Sequence, residues 1–273
     1  MKTIVITGSQ TGMGWATRTL LERTGVRVIG VSDKGDAEVI ADLSTEAGVD
    51  EAVAQVQALS GGPIDGVFAN AGVDSENAPL VFGLNYFGVV RMLQALRPSL
   101  ARSGDGRVVV NASNSVVITP GIPQDVVDAL LANDRDKALT QIAAQAHWTY
   151  QVSKAAITRW VRTQATTQPW AGSGISMNVL APGVVMTQLI DNDMQDPRKA
   201  AGIKSLPAPL GRFPGPENVA PLVKFLLVDD SRFIVGQYLV IDGGTEAAWR
   251  GRETPKSWDI SMEEFRSQLK RPT

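Results

Sequence analysis

The 273-residue chain is 44% hydrophobic and 20% charged, with a net charge of −2 and no cysteine. A slightly negative net charge gives no basic surface for nucleic acid or an anionic membrane, so neither is expected as a partner. The lack of cysteine excludes disulfides, thiolate catalysis and cysteine-ligated metal, so we predict no metal site and a reducing, cytoplasmic location.

Short β-branched runs alternate with longer helical patterns along residues 1–245. Near-continuous apolar strands separated by helices are typical of a parallel sheet that is covered on both faces. We therefore predict an α/β fold, with one doubly wound Rossmann-type parallel sheet and helices on both of its faces. The pattern predicts strands at 3–7, 26–31, 38–41, 64–69, 107–111, 175–180 and 238–241, and helices at 12–24, 43–59, 79–102 and 148–171.

Two segments do not belong to this minimal plan. A helical insert is expected at about 116–147, before Tyr150, with two apolar-faced helices that meet at a turn around Asn133 and Asp134. The tail at 246–273 carries Ser261 and Glu264 at capping-box spacing, which predicts a short helix from about Met262. Such a helix is too short to persist alone, so it is expected to dock on its own subunit or on a neighbour.

A glycine turn follows the first strand and opens the first helix. It reads Thr7-Gly8-Ser9-Gln10-Thr11-Gly12-Met13-Gly14. Glycines let backbone N–H groups approach a pyrophosphate, and the helix N-terminus adds its partial positive charge to the same anion. In this position the turn indicates a dinucleotide site.

This turn resembles the signature of the short-chain dehydrogenase/reductase family. The resemblance continues through Ala69-Asn70-Ala71-Gly72, Asn85, Ser113, Tyr150-x-x-x-Lys154, Pro182-Gly183 and Asp242-Gly243-Gly244, and so covers nearly all of residues 1–245. It implies an NAD(P)-dependent oxidoreductase that interconverts a secondary alcohol and a ketone. The coenzyme contacts that it implies are Gly8, Gln10, Thr11, Gly12, Met13, Gly14, Asp33, Asp42, Leu43, Asn70, Ala71, Gly72, Tyr150, Lys154, Pro182, Gly183, Val185 and Thr187.

The choice between NAD and NADP depends on the end of the second strand. An acid there accepts hydrogen bonds from the adenosine ribose and repels a 2′-phosphate, so Asp33 favours NAD. Ser32 stands where the family often has its aspartate, however, and Lys34 would welcome a phosphate, which leaves NADP open. Asp42 resembles the residue that contacts the adenine, although capping of the next helix is an alternative role.

Alcohol–ketone exchange needs a group that accepts the hydroxyl proton and a group that stabilises the developing alkoxide. Tyr150 and Lys154 are four residues apart, so on a helix they share one face, and the ammonium would lower the pKa of the phenol. By resemblance Tyr150 is the general acid/base and Lys154 also binds the nicotinamide ribose. Ser113 would position the substrate oxygen, with Ser115 as its rival, and Asn85 would support a proton relay.

The expected substrate class follows from the segment after Thr187 and from a closer resemblance within the family. Within the family, the order of motifs resembles that of the bacterial 3α-hydroxysteroid dehydrogenase/carbonyl reductases. By this resemblance, residues 188–210 of the present chain would form an apolar flap over the substrate. A bulky hydrophobic alcohol or ketone is therefore expected, a hydroxysteroid first and a terpenoid or aromatic alcohol next. A nicotinamide-binding sensor without turnover is the rival reading, but it would not need the four catalytic residues together. Relatives pair through the helices at 79–102 and 148–171, so a dimer or tetramer is expected.

Overall fold

Seven parallel strands form one sheet in the order β3-β2-β1-β4-β5-β6-β7. The computed structural model describes residues 1–269. The strands are β1 Thr3–Thr7, β2 Arg27–Ser32, β3 Val39–Ile40, β4 Gly66–Ala69, β5 Gly106–Asn111, β6 Ile175–Pro182 and β7 Tyr238–Ile241. All seven predicted strands are confirmed. The order reverses between β1 and β4, and open α/β sheets bind their ligands at such a point, beyond the carboxyl ends of the strands.

Helices cover both faces of the sheet. They are α1 Gly12–Arg23, α2 Glu46–Ser60, α3 Ala78–Phe82, α4 Val89–Arg102, α5 Ser115–Ile118, α6 Gln124–Leu131, α7 Arg135–Ile142, α8 Thr149–Gln164, α9 Gln188–Asp193, α10 Pro197–Ser205, α11 Pro216–Val228, α12 Thr245–Arg250 and α13 Met262–Gln268. Helices α2, α4 and α8 cover one face, and α1 and α11 cover the other. Because each strand is apolar on both sides, alternate side chains serve the two cores, with Val5 and Val67 in the first and Ile4, Ile6 and Phe68 in the second.

Three predicted helices have the wrong bounds. Helix α8 ends at Gln164 rather than at residue 171. Helix α2 begins at Glu46 rather than near residue 43, because Thr45 is its N-cap and accepts a 3.1 Å hydrogen bond from the Gly48 amide. The predicted helix at 79–102 is interrupted by a π-helical segment, Gly83–Gly88, that separates α3 from α4. Helices α9, α10, α11 and α12 were not predicted.

The predicted insert folds as a helical hairpin against the body of the domain. Val126, Val127, Leu130 and Ile142 are fully buried, and α6 packs on α8. Asp134 caps α7 by accepting a 3.1 Å hydrogen bond from the Lys137 amide. The insert therefore covers part of α8, one of the two helices through which pairing was expected.

The helical run Ala78–Arg102 is long and apolar enough, by length and composition, to cross a membrane. Half of its most apolar window is nevertheless buried inside the fold. Phe82, Leu93 and Leu96 from this run belong to the core under the sheet, so it is a core helix of the domain.

The predicted tail helix is present as α13. Ser261 and Glu264 form the reciprocal capping box, with the Glu264 amide 3.1 Å from Ser261 Oγ and the Ser261 amide 2.8 Å from Glu264 Oε2. Met262 and Phe265 are exposed, so α13 buries little against its own subunit. The last residues of the predicted tail, 270–273, lie outside the described residues.

Candidate active site

The glycine turn between β1 and α1 can be this tight only without side chains. Gly8 and Gly12 have φ of +64° and +52°, in the left-handed region that favours glycine. At Gly14 a Cβ would lie 2.0 Å from the carbonyl oxygen of Gly8, a distance that no side chain tolerates. Thr11 is the N-cap of α1 but makes no side-chain cap bond, and no acid lies in the first turn. The start of α1 therefore keeps its donors and partial positive charge for an anion.

Most of the predicted site residues line one cleft at the carboxyl ends of the strands, which we call the inner cleft. Gly14 and Asn85 do not line it: Gly14 packs behind the turn, and Asn85 lies beneath the following loop. The predicted residues that line the inner cleft are Gly8, Thr11, Gly12, Met13, Asn70, Ala71, Gly72, Ser113, Tyr150, Lys154, Pro182, Gly183, Val185 and Thr187.

A second cleft, the side cleft, continues from the glycine turn towards the ends of β2 and β3. It is lined by the remaining predicted coenzyme residues, Gln10, Asp33, Asp42 and Leu43, together with Ser32 and Lys34. Asp33 is exposed and Ser32 is buried, so it is the Asp33 carboxylate that faces solvent there. Asp42 does not cap α2, because its Oδ1 accepts hydrogen bonds from the amide and hydroxyl of Ser44, at 2.9 and 2.6 Å. The capping alternative for Asp42 is therefore wrong.

Thr7 and Asn70 tie the glycine turn to the loop after β4. Thr7 Oγ1 accepts hydrogen bonds from the amides of Asn70 and Ala71, both at 2.9 Å. The Asn70 side-chain amide donates to the carbonyl oxygens of Thr7 and Gly8, at 3.2 and 3.3 Å. These bonds fix the two edges of the inner cleft relative to each other. The role of Thr7 was not predicted, because its partners lie 63 and 64 residues away.

Tyr150 and Lys154 lie in the first turns of α8, on the face that borders the inner cleft. Lys154 Nζ donates a 2.9 Å hydrogen bond to the carbonyl oxygen of Asn111, at the end of β5, and lies 5.6 Å from the centre of the Tyr150 ring. Burial lowers the pKa of Lys154 to about 8, against the opposing effect of the Asp74 carboxylate. Lys154 is thus mostly protonated at neutral pH, and its charge stabilises negative charge on the neighbouring phenol oxygen.

Asn85 lies in the π-helical segment and is almost fully buried. Its Oδ1 accepts from the Val73 amide at 3.0 Å, and its Nδ2 donates to the Val73 carbonyl at 2.9 Å and to Ser153 Oγ at 3.1 Å. A Cβ on Gly72 would be 3.1 Å from Asn85 Oδ1 and 3.3 Å from Lys154 Nζ, so Asn85 and Lys154 flank Gly72. The Asn85 side chain therefore holds the loop in front of Lys154. Single π turns are frequent at functional sites.

Ser113 and Ser115 differ in what they face. Ser113 lines the inner cleft and also a third one, the outer cleft, whereas Ser115 lines only the outer cleft. Ser113 Oγ accepts a 3.1 Å hydrogen bond from the Ser115 amide, so its own hydrogen is left to donate. Ser115 Oγ is buried and has no hydrogen-bond partner among the described residues. The geometry favours Ser113 as the donor to a substrate oxygen.

The outer cleft begins at Tyr150 and Ser113 and extends under the predicted flap, where α9 and α10 lie. Its apolar wall comes from Ile118, Ile190, Ile203 and Leu206, and its rim carries Asp74, Glu76, His147 and Lys199. Lys199 in α10 is 3.8 Å from Asp74, which joins the flap to the loop after β4. The ring of His147 also lines the outer cleft, and its centre lies 5.3 Å from that of the Trp148 ring.

No cluster of three His, Asp or Glu side chains suited to a metal occurs in residues 1–269.

Two family models match the chain. The model described as short chain dehydrogenase matches residues 2–122, and the one described as enoyl-(acyl carrier protein) reductase matches residues 137–246. Residues 123–136, which contain α6 of the insert, lie between the two matches.

Known proteins with similar sequences and structures cover nearly the whole chain. The chain is 35% identical to a 3-alpha-hydroxysteroid dehydrogenase/carbonyl reductase of Comamonas testosteroni, over 92% of this chain and 98% of that protein. It is 30% identical to a coniferyl-alcohol dehydrogenase of a Pseudomonas species, over 91% of this chain and 98% of that protein. The crystal structure of a 3-alpha-hydroxysteroid dehydrogenase from Pseudomonas sp. B-0831 complexed with NADH is 38% identical, with a TM-score of 0.86, and the match covers 94% of this chain and 100% of that one.

Proposed function

The chain belongs to the short-chain dehydrogenase/reductase family and is an oxidoreductase of that family; on this premise we propose that it interconverts a secondary alcohol and a ketone with NAD as its coenzyme. Its proposed substrate is bulky and hydrophobic. The observation that carries the proposal is the convergence of Tyr150, Lys154 and Ser113 at the junction of the inner and outer clefts.

In this proposal Tyr150 transfers the proton and Ser113 orients the reacting oxygen. The Tyr150 phenolate takes the proton of the alcohol in oxidation, and the protonated Tyr150 hydroxyl gives a proton to the carbonyl oxygen in reduction. Ser113 donates to the same oxygen, because its hydroxyl already accepts from the Ser115 amide. Lys154 keeps its ammonium next to the Tyr150 ring and is fixed there by the Asn111 carbonyl. A pre-oriented pair of donors of this kind stabilises the charge that develops on the oxygen.

The inner and side clefts fit a nicotinamide dinucleotide. The positive φ of Gly8 and Gly12 gives the tight turn that lets the backbone approach a pyrophosphate, and Gly14 lets the start of α1 pack against Gly8 behind that turn. Residues 8–13 would hold the phosphates, Asp42 and Leu43 the adenine, Asn70, Ala71 and Gly72 the middle of the molecule, and Pro182, Gly183, Val185 and Thr187 the nicotinamide end. Bound there, the nicotinamide ring supplies or accepts the hydride.

NAD is proposed over NADP because of Asp33. Its exposed carboxylate lines the side cleft, where it would accept hydrogen bonds from the ribose hydroxyls and repel a 2′-phosphate. Lys34 lines the same cleft and would favour the phosphate, so the two side chains oppose each other. The similar Pseudomonas structure in complex with NADH supports NAD.

The proposed substrate class is a hydroxysteroid or ketosteroid, with aromatic alcohols as the second class. The apolar wall of Ile118, Ile190, Ile203 and Leu206 supports a large hydrophobic body next to Tyr150. The similarity to two hydroxysteroid dehydrogenases supports the first class, and that to a coniferyl-alcohol dehydrogenase supports the second.

The test is coenzyme-linked turnover by the purified protein. We would follow the absorbance of NADH and of NADPH at matched concentration with a panel of 3-ketosteroids, aromatic ketones and small aliphatic ketones. We expect turnover of the bulky ketones, with NADH preferred. Preference for the small ketones would contradict the substrate class, and tight coenzyme binding without any turnover would favour a sensor.

We also propose that the protein forms a homo-oligomer. Met262, Phe265 and Leu269 recur at helical spacing along α13 and its C-cap and are all exposed, which supports an apolar face that another subunit covers. Light scattering on the purified protein should give a mass of at least two chains, and a monomeric mass would contradict this.

A further inference from the structure

A second tyrosine is hydrogen-bonded to the backbone of the candidate catalytic serine. Tyr238, the first residue of β7, donates a 2.6 Å hydrogen bond from its hydroxyl to the carbonyl oxygen of Ser113. The two residues are 125 positions apart in the chain. Tyr238 lines none of the inner, side and outer clefts, so it reaches Ser113 through the backbone carbonyl and not through the cleft.

The end of β6 and the loop after β7 hold Asn114, the neighbour of Ser113. The Asn114 amide donates to the carbonyl of Pro182 at 2.8 Å, and its side-chain amide donates to Asp242 Oδ2 at 3.0 Å. Ser113 itself is held at its carbonyl by Tyr238 and, more weakly, by the Val116 amide at 3.3 Å. Rotation of the peptide after Ser113 would shift the Ser115 amide, which is the donor to Ser113 Oγ. The Tyr238 bond therefore resists a motion that would turn the catalytic hydroxyl.

Tyr238 remains a donor over the working pH range of such an enzyme. Its burial raises its pKa above the ordinary range, and the Glu246, Asp242 and Tyr150 side chains act in the same direction while Arg250 opposes them. Tyr238 thus stays protonated, and its hydrogen stays committed to the Ser113 carbonyl.

We propose that Tyr238 is a positioning residue for the reaction, which acts through Ser113 by fixing the peptide that aims the serine hydroxyl at the substrate oxygen. This inference rests on the proposed function.

A double-mutant cycle tests it, with steady-state turnover of the best ketone in the panel and coenzyme binding followed by fluorescence. Tyr238→Phe removes only the hydroxyl and should lower kcat about three- to tenfold, the size of one neutral hydrogen bond. KM and coenzyme affinity should stay unchanged, because Tyr238 touches neither cleft. In a Ser113→Ala background, Tyr238→Phe should leave kcat unchanged, because the hydroxyl that it positions is absent.

Ser103→Ala is the matched control, since it also removes a hydroxyl that donates to a backbone carbonyl, that of Leu100 at 2.8 Å, at the end of α4. It should leave kcat unchanged. An equal loss of kcat from Tyr238→Phe in both backgrounds would overturn the inference, as would no loss in the wild-type background. Those results leave the proposed function intact if the wild type turns over the ketones. A wild type that binds coenzyme without turnover would overturn both.

Discussion

Replacing Lys154 by methionine should stabilise the protein without coenzyme at neutral pH while abolishing turnover. The pKa of Lys154 is lowered from 10.5 to about 8, chiefly by burial. That shift corresponds to about 3 kcal/mol of destabilisation by the buried charge at pH 7. The variant also leaves the Asn111 carbonyl without its donor, at a cost of about 1–2 kcal/mol. The net gain is about 1–2 kcal/mol, or about 2–4 °C in Tm for a domain of this size.

The pH dependence gives the sharper test. Because the folded pKa lies below the unfolded one, the unfolded chain binds more protons between pH 8 and 10.5, and the wild type is stabilised as pH rises through that window. From pH 7 to 9.5 this contribution amounts to about 2 kcal/mol for the wild type and is absent from Lys154→Met. Thermal unfolding of both proteins at these two pH values should show the advantage of the variant disappear.

Lys137→Met is the control, because Lys137 is an exposed lysine on α7. It should show no comparable change in Tm with pH relative to the wild type. A lower Tm for Lys154→Met at pH 7, or a Tm difference from the wild type that is the same at both pH values, would refute the reasoning that Lys154 is a desolvated cation.

Three further predictions concern the clefts. Ser113→Ala should lower kcat about 100-fold, the usual effect of losing one donor to a developing oxyanion, and Ser115→Ala less than about threefold; equal effects in steady-state kinetics would contradict the assignment. Asp33→Ala should raise the ratio of kcat/KM for NADPH to that for NADH about tenfold, through lost ribose bonds and lost repulsion of the phosphate, and an unchanged ratio would place coenzyme choice elsewhere. Gly14→Ala should abolish coenzyme binding in fluorescence titration, because its Cβ would lie 2.0 Å from the Gly8 carbonyl oxygen; wild-type affinity would contradict the close packing of the turn.

Much of the fold could be predicted from local sequence. The apolar runs of β1 and β7 predicted the strand bounds without error, because each run is followed at once by a turn residue, Gly8 or Asp242. Helix α11 was not predicted because Pro214 and Pro216 are typical of a loop. Proline is in fact well suited to the first turn of a helix, where its missing N–H has no partner to lose, and Pro216 lies there. The π turn at Gly83–Gly88 was also missed, because one inserted residue hardly alters a helical periodicity.

The candidate site was predictable where its residues follow one another in a motif and not where they meet through space. Tyr150 and Lys154 share a helix face, so their spacing alone places them together. The bonds from Lys154 to Asn111 and from Tyr238 to Ser113 join residues 43 and 125 positions apart. No spacing in the sequence indicates them. The predicted start of α2 was wrong for a local reason. The Asp42 side chain accepts a hydrogen bond from the Ser44 hydroxyl, and the N-cap of the helix is Thr45.

The measurement that tests the central claim most directly compares the wild type with Tyr150→Phe. Both proteins would be assayed for ketone-dependent oxidation of NADH and for NADH binding under the same conditions. If Tyr150 transfers the proton, kcat should fall by about 10²–10⁴-fold while NADH still binds. Retention of wild-type turnover by Tyr150→Phe would contradict the account.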